Sequence, residues 1–139
     1  MSKESKAGYE KLKGIKKRAR EKEREVLEAE IKDVAEYLEE RYKALQGKLP
    51  DNVHGLVLTD YNDNLGRILT LEKKGVKILN LDKERKIVGE PIFISVDQYF
   101  EECLSNIDNI KDRYWFLDMA FRRLLESETY LMSSSYTQK

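Results

Sequence analysis

The segment RILTLEKKGVKILNLD, residues 67–82, contains two runs of alternating apolar and polar residues around one glycine. Alternation with a period of two is typical of strands that bury one face. Gly75 between the two runs predicts a hairpin turn. We therefore predict antiparallel strands over residues 67–73 and 76–82, and the rest of the fold is inferred outward from this hairpin.

Two more strand candidates flank the predicted hairpin. GLVLT, residues 55–59, precedes it, and KIVGEPIFI, residues 86–94, follows it. Gly89 and Pro91 in the second segment predict a bulge or an edge position, because proline cannot donate a hydrogen bond inside a sheet. The short connections favour a small antiparallel meander of three to four strands.

Helical patterns lie on both sides of the predicted sheet. Residues 9–46 contain no proline and are rich in strong helix formers. After the sheet, Ser95 and Gln98 match a capping box, and a last helix carries a second apolar stripe. We predict an α+β fold, with a long N-terminal helix, the sheet, and two C-terminal helices packed on one sheet face. The stripe of the first helix recurs every three or four residues, at Leu27, Ile31, Val34, Leu38, Tyr42 and Leu45.

Length and composition favour one domain over residues 1–139. Within it, we expect residues 1–24 to be a basic helical extension and residues 133–139 to be a frayed tail. The chain has one cysteine, Cys103, so a disulfide within the chain is excluded and a reduced, cytoplasmic setting is expected. No apolar run approaches the length that crosses a membrane.

Charge is distributed unevenly, although the net charge is zero. Residues 1–24 hold ten Lys/Arg against four Glu, a net of +6, and residues 25–45 hold three Lys/Arg against seven Asp/Glu, a net of −4. On a helix of about 100° per residue, five of these cations fall on one side. This predicted basic ridge consists of Lys13, Lys16, Lys17, Arg20 and Arg24.

Three interpretations of the ridge are open at this stage. If the helix stays straight and projects, the ridge can contact the phosphates of a nucleic acid or an acidic protein surface. If it is a solvated helix face, Glu21, Glu23 and Glu25 pair with its cations at helical spacing. A third interpretation has the ridge docking on the acidic segment 25–45 of another subunit.

One motif suggests an enzyme instead. Asp60 closes a predicted strand, and Glu72 and Lys74 are two apart on the next. This pattern resembles the core of the PD-(D/E)xK nucleases over residues 60–74. The resemblance implies a metal-dependent nuclease whose carboxylates hold a divalent ion and whose lysine supports the attacking water.

Aromatic residues crowd the last helix, and both apolar stripes could pack within the chain or across a two-fold axis. We therefore predict a homo-oligomer. The predicted interface residues are Leu27, Ile31, Val34, Leu38, Tyr114, Trp115 and Phe116.

The sequence as a whole favours a small non-enzymatic interaction protein that contacts nucleic acid or an acidic protein surface through its basic ridge. The nuclease is one alternative. A second alternative is an adaptor, inhibitor or immunity-type protein. It would bind a single protein partner through the strand edge near Pro91 or through the aromatic helix. No motif predicts a cofactor, a bound metal, a membrane partner or a small-molecule substrate.

Overall fold

The computed structural model describes residues 3–18, 24–61 and 66–137. Within them the chain has the α+β fold that the sequence predicts, with helices at both ends and an antiparallel sheet between them. In chain order the elements are α1 (Lys3–Arg18), α2 (Arg24–Gly47), β1 (Leu56–Val57), β2 (Arg67–Glu72), β3 (Gly75–Asn80), β4 (Ile92–Ile94), α3 (Val96–Ser105) and α4 (Ile110–Thr137).

The sheet is the predicted meander, with strands in the order β1-β2-β3-β4 and every neighbouring pair antiparallel. Gly75 opens β3 with φ 142°, and a Cβ there would lie 2.6 Å from the carbonyl oxygen of Ile94. Only glycine fits such a close approach. The predicted fourth strand is shorter than expected, because β4 starts after Pro91 and Gly89 interrupts the ladder with φ 76°. Its edge position is confirmed.

The helix expected over residues 9–46 is two helices. α1 packs back on α2 and α4, so the described part of the basic extension does not project. The side chains of Leu12 and Ile15 are fully buried. These residues lie on a different side of α1 from the lysines, and folding back removes that apolar side from water.

The core joins α2, α4 and α3 to one face of the sheet. Phe100 of α3 lies between the rings of Tyr42 and Phe116, at centroid distances of 5.5 and 5.8 Å. The buried Tyr42 hydroxyl donates to the carbonyl oxygen of Ala120 at 2.6 Å, which satisfies a polar group inside the core. The tyrosine thereby fixes α2 against α4.

The two C-terminal helices begin where local capping predicts. The Ser95 hydroxyl accepts from the Gln98 backbone N–H and the Gln98 side chain accepts from the Ser95 backbone N–H, which confirms the capping box. The Asn109 side chain accepts from the N–H of Lys111 at 2.8 Å, at the start of α4. α4 continues to Thr137, so the tail that was expected to be frayed is helical over most of its length.

None of the described helices is both long and apolar enough to cross a membrane.

Gly8 allows α1 to pack closely on α2 and α4, because it has no side chain at the contact. A Cβ at Gly8 would lie 2.5 Å from Tyr37 Cε1 and 3.0 Å from Phe121 Cζ. The rings of Tyr37 and Phe121 are stacked against each other with centroids 5.9 Å apart. Local sequence around Gly8 does not reveal this role, because Tyr37 and Phe121 lie far along the chain.

We expect Gly8→Val to lower the free energy of unfolding by about 2 kcal/mol, because overpacking forces the rings or α1 to move. Gly14→Ala is the matched control in the same helix, since its Cβ would meet only an Arg18 guanidinium nitrogen at 3.5 Å. The control should raise stability by about 0.5–1 kcal/mol through helix propensity. Urea unfolding measures both. A Gly8→Val protein as stable as the wild type would contradict the packing of α1.

Candidate functional site

The predicted basic ridge does not form one continuous surface. Lys13, Lys16 and Lys17 are exposed on α1, and we call these three residues the α1 basic surface. Arg24 belongs to α2, where its guanidinium donates to Glu28 at 2.9 Å and to the carbonyl oxygen of Asp108 at 3.0 Å. Arg20 lies outside the described residues.

Two lysines of the α1 basic surface lie over tyrosine rings. The ammonium nitrogen of Lys13 is 4.8 Å from the ring centroid of Tyr9, and that of Lys16 is 5.3 Å from the ring centroid of Tyr114. Cation–π contacts of this kind hold an ammonium group in place without neutralising its charge. Tyr114 belongs to α4, so its contact with Lys16 depends on the tertiary fold and has no local sequence signal.

Other cations of α1 are paired with α2. Lys11 lies 3.3 Å from a carboxylate oxygen of Asp33, and Arg18 lies 2.6 Å from one of Glu30. The pairs run in opposite order along the two helices, so α1 and α2 are antiparallel. Lys11 and Arg18 are not members of the predicted ridge, so these pairs within one chain do not test the interpretation in which the ridge docks on another subunit.

This pairing leaves a local excess of positive charge. Among the described residues, no carboxylate forms an ion pair with Lys13, Lys16 or Lys17. Arg122 of α4 is exposed and pairs with Asp118 at 3.1 Å; this hydrogen bond raises the pKa of the arginine. The α1 basic surface is therefore the strongest candidate for contact with an anion.

The residues of the nuclease-like motif are not brought together. Asp60 accepts from Arg67 at 2.8 Å, and Arg67 also donates to Glu102 of α3 at 2.8 Å. Arg67 shares its sheet face with Leu69, which is in the core. Arg67 therefore links the Asp60 carboxylate to Glu102 of α3, and Asp60 has a cationic side chain as its partner.

Glu72 lies on the opposite face of the same strand and pairs with Lys77 at 2.7 Å. Lys74 is in the β2–β3 turn, not on the strand. The expectation that Glu72 and Lys74 share a strand face is wrong, because β2 ends at Glu72, one residue earlier than predicted. No group of three potential metal-ligating side chains occurs within the described residues.

Most of the predicted subunit interface is core. Phe116 and the four α2 residues are buried in the chain's own hydrophobic cluster, so they are not a contact surface. The two apolar stripes pack on each other within the chain, since α2 contacts α4. Trp115 is 43% exposed and its ring meets that of Tyr61 at 6.4 Å, while Tyr114 is partly buried. The prediction of an interface role is therefore wrong for the five buried residues, Leu27, Ile31, Val34, Leu38 and Phe116.

Cys103 is a core residue, 3% exposed. Burial raises the pKa of its thiol to about 12. Because the thiolate is the reactive form, this cysteine is unsuited to nucleophilic or redox chemistry near neutral pH.

A separate acidic groove lies between α2 and α3 and has a volume of about 490 Å³. Burial raises the pKa of Glu39 in this groove, and the carboxylates of Asp97, Glu36 and Glu101 raise it further, against the opposing effect of Lys43. The ionised form of Glu39 is therefore less favourable in the folded protein than in the unfolded chain.

No protein-family model, curated protein or solved structure matches this chain. Function therefore has to be inferred from the chain's own surfaces.

We expect Glu39→Gln to raise the free energy of unfolding at pH 7, by about a few tenths of a kcal/mol because solvent screens the groove. A carboxyl group whose pKa is raised on folding opposes folding when ionised and ceases to do so once protonated. The gain should therefore disappear as the pH falls through the raised pKa of Glu39. Urea unfolding of both proteins at a series of pH values measures this, and a gain that persists in acid would contradict it.

Proposed function

We propose that this chain is a non-enzymatic interaction protein whose α1 basic surface binds the phosphate backbone of a nucleic acid. The observation that carries the proposal is the contrast within α1. Lys11 and Arg18 are paired with α2 carboxylates, whereas Lys13, Lys16 and Lys17 stand exposed on the other side of the helix. These three lysines form no ion pair within the described residues, so their ammonium groups can contact a partner.

The geometry suits backbone contact better than base recognition. Lysine ammonium groups are compact point charges that contact phosphates without reading sequence. The rings of Tyr9 and Tyr114 are partly buried beneath Lys13 and Lys16, so they support the lysines instead of offering faces for base stacking. We therefore propose binding that is weak, insensitive to sequence and strongly dependent on salt.

Two considerations favour binding over catalysis. Among the described residues, Asp60 follows β1, Glu72 lies on β2 and Lys74 lies in the β2–β3 turn. Asp60 and Glu72 also have cationic partners, Arg67 and Lys77. A cytoplasmic location is proposed with this function, in keeping with the single, buried cysteine.

We expect the wild-type protein to bind a labelled oligonucleotide at low salt. The logarithm of the binding constant should fall with the logarithm of the salt concentration with a slope between about −2 and −2.7, for three phosphate contacts. The triple variant Lys13→Glu, Lys16→Glu, Lys17→Glu should abolish binding, because repulsion replaces attraction. Fluorescence anisotropy over a salt series measures both properties.

The matched control carries three lysine-to-glutamate changes elsewhere, at the exposed positions Lys48, Lys83 and Lys86. It alters the net charge equally and should retain most of the binding. Equal loss in both variants would attribute binding to net charge alone. Absence of wild-type binding at low salt would overturn the proposal, and binding of polyglutamate but not of oligonucleotides would identify an acidic protein surface as the partner.

A further inference from the structure

Trp115 of α4 is a large aromatic side chain that the core leaves partly outside. It is 43% exposed, and it is the only tryptophan in the sequence. The ring of Tyr61 meets it in an edge-to-face arrangement, with the ring planes at 70°. The Tyr61 hydroxyl donates to a carboxylate oxygen of Asp112 at 3.3 Å, which anchors that ring to α4. Trp115 is therefore supported from one side while part of its ring stays in contact with water.

The fold places this ring beside the α1 basic surface. Trp115 directly follows Tyr114, and the ammonium nitrogen of Lys16 lies 5.3 Å from the ring centroid of Tyr114. Tyr114 is partly buried and covered by that lysine. No lysine of the described residues covers Trp115 in the same way. Trp115 is therefore an aromatic side chain next to the α1 basic surface whose ring remains available to a partner.

Cations of α4 lie on the same side of that helix as Trp115. At about 100° per residue, Lys111, Trp115 and Arg122 fall within an arc of about 40°. Arg122 pairs with Asp118 at 3.1 Å, so its charge is partly neutralised. Lys111 is exposed, lies one helical turn before Trp115, and has no ion pair within the described ranges. The unpaired positive charge around Trp115 therefore comes from Lys111 and from the α1 basic surface.

An exposed ring among unpaired cations selects one kind of nucleic acid. Proteins that bind single strands combine cations that contact the backbone with aromatic rings on which bases stack. In a duplex the bases stack on each other, and a base has to leave the helix before it reaches such a ring. An acidic protein surface matches the cations but not the ring. A single strand matches both, because each of its nucleotides supplies a phosphate and a base.

We propose that Trp115 is a platform on which a base of single-stranded nucleic acid stacks while neighbouring phosphates contact the α1 basic surface. The inference rests on the proposed function and narrows its partner from nucleic acids in general to single strands. Stacking accepts every base, since each base has a π-face, so binding stays insensitive to sequence. Lys111 adds attraction at longer range without a phosphate contact of its own.

The intrinsic fluorescence of the protein tests the stacking directly, because Trp115 is its single tryptophan. A short thymidine oligonucleotide at low salt should quench this fluorescence. An abasic oligomer of the same length carries the same backbone charge without bases. It should compete with a labelled oligonucleotide for the protein and leave the tryptophan fluorescence nearly unchanged. A duplex of the same length should behave like the abasic oligomer.

Trp115→Ala should weaken binding of the labelled thymidine oligonucleotide by about 5- to 150-fold in fluorescence anisotropy, the range expected for loss of one stacked base. Duplex binding should stay close to that of the wild type. Trp115→Phe keeps an aromatic ring and should retain most of the affinity, which guards against an effect of misfolding. Tyr130→Ala is the matched control, since Tyr130 is 54% exposed on the same helix but lines a cleft with residues 52–57. It should leave the affinity unchanged.

The outcomes separate the stacking platform from the proposed function. Wild-type binding without tryptophan quenching, or single-strand binding by Trp115→Ala as tight as that of the wild type, would overturn the platform and leave the proposed function standing. Equal losses of single-strand and duplex binding in Trp115→Ala would overturn the platform as well. Absence of wild-type binding to every oligomer at low salt would overturn both proposals.

Discussion

The burial of Leu12 and Ile15 against α2 and α4 is the contact on which the arrangement of the N-terminal half depends. Removing two such side chains from water contributes about 4 kcal/mol. The ion pairs Lys11–Asp33 and Arg18–Glu30 are partly exposed, and exposed pairs contribute about 1 kcal/mol or less each. Apolar burial is therefore the larger contribution to holding α1 against α2 and α4, and the ion pairs add a smaller one.

This contact also decides which charges remain for function. With Leu12 and Ile15 inward, Lys11 and Arg18 reach α2, and the α1 basic surface is left outward. The positive charge of residues 1–24 and the negative charge of residues 25–45 are thus partly neutralised by ion pairs within one chain. Of the five cations predicted to form one ridge, Lys13, Lys16 and Lys17 make up the α1 basic surface, which is supported by rings from α1 and α4. Arg24 belongs to α2, and Arg20 lies outside the described residues.

Local signals were sufficient to predict most of the fold. The alternation around Gly75 identified the hairpin, Pro91 identified the edge strand, and Ser95 with Gln98 identified the start of α3. These features depend on neighbours a few residues away. The break between α1 and α2 was missed because residues 9–46 hold no strong helix breaker, and helix propensity says nothing about a tertiary contact that rewards folding back.

The candidate site was harder to predict, because its contacts join distant parts of the chain. Lys16 lies over the ring of Tyr114, which is 98 positions further along the sequence. The nuclease-like motif failed for a related reason. A two-residue spacing places side chains on one face only while the strand continues, and Lys74 lies in the turn.

The separation between α1 and α2 is the quantity that tests this account most directly. Lys11 and Asp33 are 22 positions apart and form a contact in the structure, and both are exposed enough to carry spin labels as cysteines, while the native Cys103 is buried. Double electron–electron resonance, with labelled protein diluted in unlabelled protein so that only pairs within one chain are observed, should give a separation far below about 33 Å. That value is the span of the same residues in one straight helix at about 1.5 Å per residue. A distribution centred near it would contradict the folded-back α1 and restore the projecting basic helix.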